Sequence, residues 1–344
     1  MVNLKNKLIF TLFLLLLILI SSCGGKKETT DNLADLRTGT QGITMSFLPN
    51  NPPAIIHAES NGENSFGVIL ELRNRGAFPQ PDDKIRGPPG KVYLSGYDRN
   101  IITIEPKDNS DDLSTRALEG KNIISQNGGV DIVSFDGSVA YSTLNIDKYD
   151  LIMLATACYD YETIAGPTVC IDPDPYSTIY PNEKKVCEVK DLTLSSQGGP
   201  IAVTQIIEEA FSDKTQFRIT IKNVGTGDVF RSENFDKCNP VGQNKLQRED
   251  INKVYLEEVK IADTNLECKP FVEDPIMDTQ GVIRLLNGEG SIICDLNQET
   301  YSNYEESKTP FTTPLTIKLS YKYRDTIQTN VQIKREPPSD GTAP

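Results

Sequence analysis

The stretch Leu315-Thr316-Ile317-Lys318-Leu319-Ser320-Tyr321-Lys322-Tyr323 puts an apolar or aromatic side chain at every odd position and a polar one at every even position. That period of two belongs to a β-strand with one face in a core and the other in water. Phe66, Val68, Leu70 and Leu72 follow the same rule, as do Phe217, Ile219 and Ile221. Turn signals such as Asp136-Gly137 and Asn287-Gly288 punctuate the runs. Helical periodicity is nearly absent; only Asp111 to Glu119, capped by Asp111 or Asp112, is expected to form a short helix. Many short strands without strand–helix alternation predict an all-β fold, an antiparallel sandwich with Greek-key connections, with a barrel as the alternative.

Outward from this stretch, the chain repeats itself. Ile43-Thr44-Met45-Ser46 followed by Pro53 is answered by Leu192-Thr193-Leu194-Ser195 followed by Pro200. Leu70-Glu71-Leu72-Arg73-Asn74-Arg75-Gly76 is answered by Ile219-Thr220-Ile221-Lys222-Asn223-Val224-Gly225. Lys91-Val92-Tyr93-Leu94 recurs unchanged as Lys253-Val254-Tyr255-Leu256, Asp136-Gly137-Ser138-Val139 as Glu289-Gly290-Ser291-Ile292, and Tyr159-Asp160-Tyr161 as Tyr321-Lys322-Tyr323. Matches in a fixed order are the mark of a duplicated unit. The expected plan is a signal peptide at 1–22, a flexible tether at 23–40, one sandwich at 41–171, a proline-rich linker at 172–187, a second sandwich at 188–335 and a tail at 336–344.

A strand closed by Asn-x-Gly resembles the immunoglobulin-like modules of prokaryotic surface proteins, and the paired tyrosines faintly resemble the tyrosine corner of such sandwiches. The resemblance implies two tandem antiparallel immunoglobulin-like β-sandwich domains. The Cys, Trp and Cys spacing of antibody domains is absent, because the chain has no tryptophan. Tyr159, Tyr161, Tyr321 and Tyr323 hold core-facing parity and are expected to pack.

The first residues have the parts of a secretory signal: Lys5 and Lys7, an apolar run from Leu8 to Ile20, then Ser21 and Ser22. As a helix the run covers roughly 20 Å, short of the roughly 30 Å hydrocarbon core. Ile20-Ser21-Ser22-Cys23 resembles the lipobox of prokaryotic lipoproteins. The resemblance implies that the Cys23 thiol carries diacylglycerol and becomes the mature N-terminus, which ties the chain to membrane lipid outside the cytoplasm. Gly24 to Thr40 then reads as a solvated spacer, with the first sandwich near the membrane and the second farther out.

The formal net charge is −13, and loss of Lys5 and Lys7 with the leader makes the remainder more acidic still. Nucleic acid is not an expected partner, since phosphates require Lys and Arg. Of seven cysteines, assigning Cys23 to lipid leaves an even six for an oxidising compartment. Cys158 and Cys170 flank Thr163-Ile164-Ala165-Gly166-Pro167, read as a hairpin, and are paired on that basis; Cys268 is paired with Cys294. Cys187 is left for Cys238, although four cysteines permit three connectivities. Asp172 and Asp174, with Asp160 and Glu162 nearby, offer oxygen ligands for calcium at the linker, without a twelve-residue calcium loop.

No catalytic constellation stands out. The sole histidine, His57, has no nucleophile elbow beside it, and the abundant carboxylates read as a solvated surface. Gly87-Pro88-Pro89-Gly90 and Gly198-Gly199-Pro200 open no helix and are turns, not phosphate cradles. The expectation is therefore no enzyme, and a structural, adhesive or protein-interaction surface lipoprotein that meets a protein or glycan ligand. The alternatives are a solute- or carbohydrate-binding lipoprotein of a transport or envelope complex and, behind it, an exported hydrolase.

Overall fold

The computed structural model describes residues 36–337, apart from 61, 63, 81–86, 179–180, 182–183, 232–234, 273–279 and 298–308. The signal peptide, Cys23 and most of the expected tether lie outside the described residues. In the first half the strands are β1 (Ile43–Phe47), β2 (Ile55–Ala58), β3 (Ser65–Asn74), β4 (Gly90–Ser95), β5 (Ile102–Glu105), β6 (Ser110–Asp112), β7 (Val130–Val139), β8 (Lys148–Ala165) and β9 (Thr168–Ile171). In the second half they are β10 (Leu192–Thr193), β11 (Ile201–Ala210), β12 (Lys214–Asn223), β13 (Asp228–Phe230), β14 (Lys253–Ile261), β15 (Thr264–Asn265), β16 (Glu267–Lys269), β17 (Gly281–Arg284), β18 (Glu289–Asn297) and β19 (Phe311–Arg335). The helix expected from Asp111 does not form: Asp111 and Asp112 belong to β6, and the Asp111 carboxylate instead takes a bidentate grip on Arg116, at 2.6 and 3.0 Å.

The fold is all-β and sandwich-like, with one sheet private to each half and one held in common. The private sheets run β1-β3-β7-β5 and β10-β11-β12-β18-β16. The common sheet runs β15-β14-β19-β8-β4-β6, so second-half strands lie directly beside first-half strands. Its centre is an antiparallel ladder between β8 and β19, from Lys148 opposite Lys334 to Ala165 opposite Ile317. β9 prolongs the ladder in unbroken register, with Thr168 opposite Pro314 and Ile171 opposite Phe311, and the Leu315 N–H donates to the Pro167 carbonyl at 2.9 Å. At about 3.3 Å per residue, the 25-residue β19 is roughly 80 Å long.

Thus Gly166-Pro167 interrupts a strand where a hairpin was expected. The expectation was of two tandem sandwiches with a linker at 172–187 between them; the two halves are laid edge to edge on one sheet. The apolar faces of all three sheets merge into one core, which includes Val68, Phe135 and Ala155 from the first half and Phe217, Leu256 and Leu319 from the second. A parallel pairing of β2 with the end of β19, from Ile55 opposite Gln332 to Ala58 opposite Arg335, adds a further contact between halves.

The repeated motifs explain themselves at this seam. Asn74, fully buried, donates to the Phe78 and Leu118 carbonyls at 2.7 and 2.8 Å and accepts from the Gly76 N–H and the Tyr161 hydroxyl, both at 3.1 Å. Its amide is therefore satisfied on every side. Asn223 repeats the device, donating to the Gly227 carbonyl at 2.9 Å and accepting from the Gly225 N–H and the Tyr323 hydroxyl, both at 3.2 Å. The Gly of each Asn-x-Gly is required because a Cβ at Gly76 would collide with the Tyr161 hydroxyl, and one at Gly225 with the Tyr323 hydroxyl. Each Asn-x-Gly turn thus seats the second tyrosine of its own half's Tyr-x-Tyr.

Candidate functional site

The four seam tyrosines form a buried cluster. Tyr159 and Tyr161 meet edge-on at 5.7 Å between ring centroids, Tyr159 and Tyr323 at 6.0 Å, and Tyr161 and Tyr321 at 6.1 Å. Such pairs add about 0.5–1.5 kcal/mol each beyond their buried area. Burial pushes every one of these phenols up, Tyr323 to about 12. All four are packing groups, held neutral.

On the opposite face of the same strands, charges pair across the seam. Lys322 meets Asp160 and Lys318 meets Glu162 at 2.9 Å, while within the second half Arg324 meets Asp228 at 2.6 Å. The Lys322 ammonium also lies 4.2 Å from the Phe235 ring centroid. Phe235 belongs to a 3-10 turn, Phe235–Cys238, that lays second-half chain over the first half; Tyr93, Cys158, Phe230 and Cys238 pack together beneath it, and the Tyr93 hydroxyl donates to the Phe235 carbonyl at 3.0 Å.

Cysteine pairing differs from expectation in two of three bridges. Cys268 is joined to Cys294, its Cα partner on the neighbouring strand, with Cα atoms 4.0 Å apart. The expected Cys158–Cys170 and Cys187–Cys238 bridges are replaced by Cys158–Cys238 and Cys170–Cys187, with Cα separations of 6.5 and 5.8 Å. The reason is the unbroken ladder: Cys158 stands opposite Arg324 and Cys170 opposite Thr312. Twelve residues of strand place them about 40 Å apart, far beyond the reach of a disulfide. Cys158–Cys238 instead bolts the two halves together, and Cys170–Cys187 closes the linker into a loop.

Inside that loop the carboxylates have a partner already. In place of calcium, the Lys185 ammonium donates to the Asp172 carboxylate at 2.6 Å, to the Asp174 carbonyl at 2.8 Å and to the Pro175 carbonyl at 3.3 Å. The Asp174 carboxylate accepts from the Thr178 N–H and hydroxyl, both at 2.8 Å. Asp160 and Glu162 are engaged with lysines at the seam and do not converge on Asp172 and Asp174. Among the described residues no group of three or more His, Cys, Asp or Glu is placed to hold a metal ion. The expected calcium site is thus corrected to an internal salt bridge, in which Lys185, thirteen residues from Asp172, supplies the cation.

Two further features bear on chemistry. His57 Nδ1 lies 2.6 Å from Glu336 Oε1, a surface contact that ties β2 to the chain just past β19. Glu208 on β11 is 6% exposed; one oxygen accepts from the Cys170 N–H at 3.5 Å and the other has no hydrogen-bond partner. Burial pushes its carboxyl up to about 7. Neither Lys185 nor Glu208 is evident among the sequence candidates, although Glu208 shares core parity with Ile206, and a carboxylate at a core position was a readable sign.

A groove of about 600 Å³ lies where β2 meets the ladder, lined by Ala54, Leu151, Ile152 and Val331 with Asp150, Asn330 and Gln332. Its one carboxylate, Asp150, accepts from Gln332 at 2.7 Å.

No family model and no curated protein matches the chain. Among solved structures, the C-terminal domain of the Streptococcus pyogenes antigen I/II-family protein AspA is similar at 8% identity and a TM-score of 0.14, over 86% of this chain and 100% of that one. A likeness of this size carries no argument about function.

Proposed function

We propose that the chain is an extracytoplasmic lipoprotein, held in the membrane by diacylglycerol on Cys23, whose double sandwich is a rigid, non-enzymatic module for contact with a protein or glycan at the cell surface. The observation that carries this reading is the cysteine pattern: three disulfides use six of the seven cysteines and leave Cys23 over. Disulfides form and persist outside the reducing cytosol. A fused, bolted pair of sandwiches suits a module that must present loops in fixed geometry, because ordering before contact lowers the entropy cost of binding.

The membrane test is fractionation of the full chain beside Cys23→Ser. The intact chain should sediment with membranes and the variant should not; a variant retained as firmly as the wild type would mean that Leu8 to Ile20 is an uncleaved anchor. The binding test is a screen of glycans, envelope proteins and whole cells. Saturable binding to one small solute, with no cell or envelope contact, would defeat the adhesive reading.

A further inference from the structure

We propose that the turn Asn122–Ser125, with the basic residues around it, lies against the lipid bilayer and fixes how the module stands on the membrane. The proposal rests on the lipid-anchor reading above. Ile124 is 96% exposed and Ile123 52%, and Ile124 is the most exposed large hydrophobic side chain among the described residues. The turn holds them outward by its own construction: the buried Asn122 accepts from the Ile124 and Ser125 N–H groups, both at 2.8 Å, and donates to the Gly120 carbonyl at 3.0 Å.

The position of the chain's entry names the occupant. Lys121 donates from Nζ to the Thr38 carbonyl at 3.0 Å and from its backbone N–H to the Gly76 carbonyl at 2.8 Å. Thr38 is two residues from the first described residue, Leu36, so the segment arriving from Cys23 joins the body beside this turn. About 13 residues separate Cys23 from Leu36, and a flexible chain of that length has a root-mean-square reach of roughly 20 Å. A lipid on Cys23 therefore keeps Ile123 and Ile124 at a high local concentration of bilayer, the condition under which two aliphatic side chains and a few charges bind when alone they would not.

Charge agrees. The chain is strongly acidic, yet this corner carries Arg37, Arg75 and Lys121. Among the described residues none of these three is ion-paired with a carboxylate, and Arg75 is close enough to Lys121 to help burial lower its pKa. Cations flanking exposed aliphatic side chains fit an anionic lipid surface, with the side chains below the headgroups and the cations among them. Gly39 bonds to Ser196 and Gly198 as well, at 3.1 Å each, so the entry point is at the seam and both halves stand beside the membrane. This replaces the expected order of a near first sandwich and a far second one.

The chain lacks tryptophan, so Ile124→Trp gives a single reporter, with Ile123→Trp as a second and Val186→Trp, 77% exposed on the disulfide-closed loop, as the control. Each is reconstituted from membranes into vesicles of phosphatidylcholine and phosphatidylglycerol with brominated acyl chains. In parallel, each is prepared with residues 1–23 replaced by hexahistidine and held on the same vesicles by nickel-chelating lipid. The proposal expects a blue shift and loss of most emission at positions 124 and 123, and neither at 186. Water-like, unquenched emission at 124 and 123 in the nickel-held preparation overturns it whatever becomes of Cys23, and so does equal quenching at 186. Quenching in that preparation, with no membrane retention of the natural chain, upholds this surface and overturns the anchor at Cys23.

Discussion

Tyr161 stands opposite Tyr321 in the central ladder, and Tyr159 stands opposite Tyr323. In the repeat Tyr159 corresponds to Tyr321 and Tyr161 to Tyr323, so each motif faces its own copy run backwards. That is the arrangement of a two-fold axis, here passing between Asp160 and Lys322, with the halves meeting as subunits of a symmetric dimer meet. Thr163 donates to the Ile201 carbonyl at 2.8 Å and lies 2.9 Å from the Tyr321 hydroxyl, which donates to it.

Tyr321→Phe removes that buried donor and should cost about 1–2 kcal/mol. Urea unfolding should remain a single transition with a lower midpoint and an unchanged slope, because the halves share one sheet. Two separate transitions in the wild-type chain would show that the halves unfold independently.

Replacing Cys158 and Cys238 together by serine opens a loop of sequence separation 80, and should lower stability by about 4.5 kcal/mol on the chain-entropy account. Thermal melts of the double variant against wild type measure the loss. Non-reducing peptide mapping should recover 158 joined to 238 and 170 joined to 187; a peptide joining 158 to 170 would contradict the unbroken ladder.

Lys185→Met leaves the Asp172 carboxylate, whose side chain is 6% exposed, without its counter-charge. Since Lys185 itself is partly solvated, the expected cost is about 2–3 kcal/mol, below that of a fully buried pair. Added calcium should not shift the wild-type melting temperature. A calcium-dependent rise would show that the cation displaces Lys185.

Burial holds the Glu208 carboxyl in the folded chain up at about 7, well above the ordinary carboxylate range. A raised carboxyl favours folding fully below the unfolded pKa, and that contribution is lost as pH climbs through the folded one. At 1.36 kcal/mol per unit, the loss between pH 4 and pH 8 is about 3 kcal/mol. Glu208→Gln cannot ionise, so it should match wild type near pH 4 and exceed it near pH 8 by about that amount. A difference that does not vary with pH would sink the assignment.

Much of this was legible from residue types and spacing. Alternation along Leu315 to Tyr323 gave the strands, and the matched motifs gave the duplication. What failed was long-range pairing. Gly166-Pro167 has the composition of a turn, yet the odd-numbered phase of Tyr159, Tyr161, Thr163 and Ala165 continues through Val169 and Ile171, and unbroken phase was the sign of a continuing strand. The bridge from Cys158 to Cys238 left no local trace, because it depends on where a distant loop comes to rest. The Lys185 contacts are of the same kind: spacing shows that carboxylates are near one another, not which cation reaches them first.

The two-fold seam changes the kind of equilibrium the molecule obeys. Two free copies of such a unit would come apart on dilution, at a concentration set by their affinity. Joined in one chain, the partner is always present, and the pairing becomes a first-order event that no washing or scarcity can reverse. Each half is then released from having to match itself: Asp160 in one copy and Lys322 in the other can take opposite signs, where a true homodimer would have to oppose like with like on its axis.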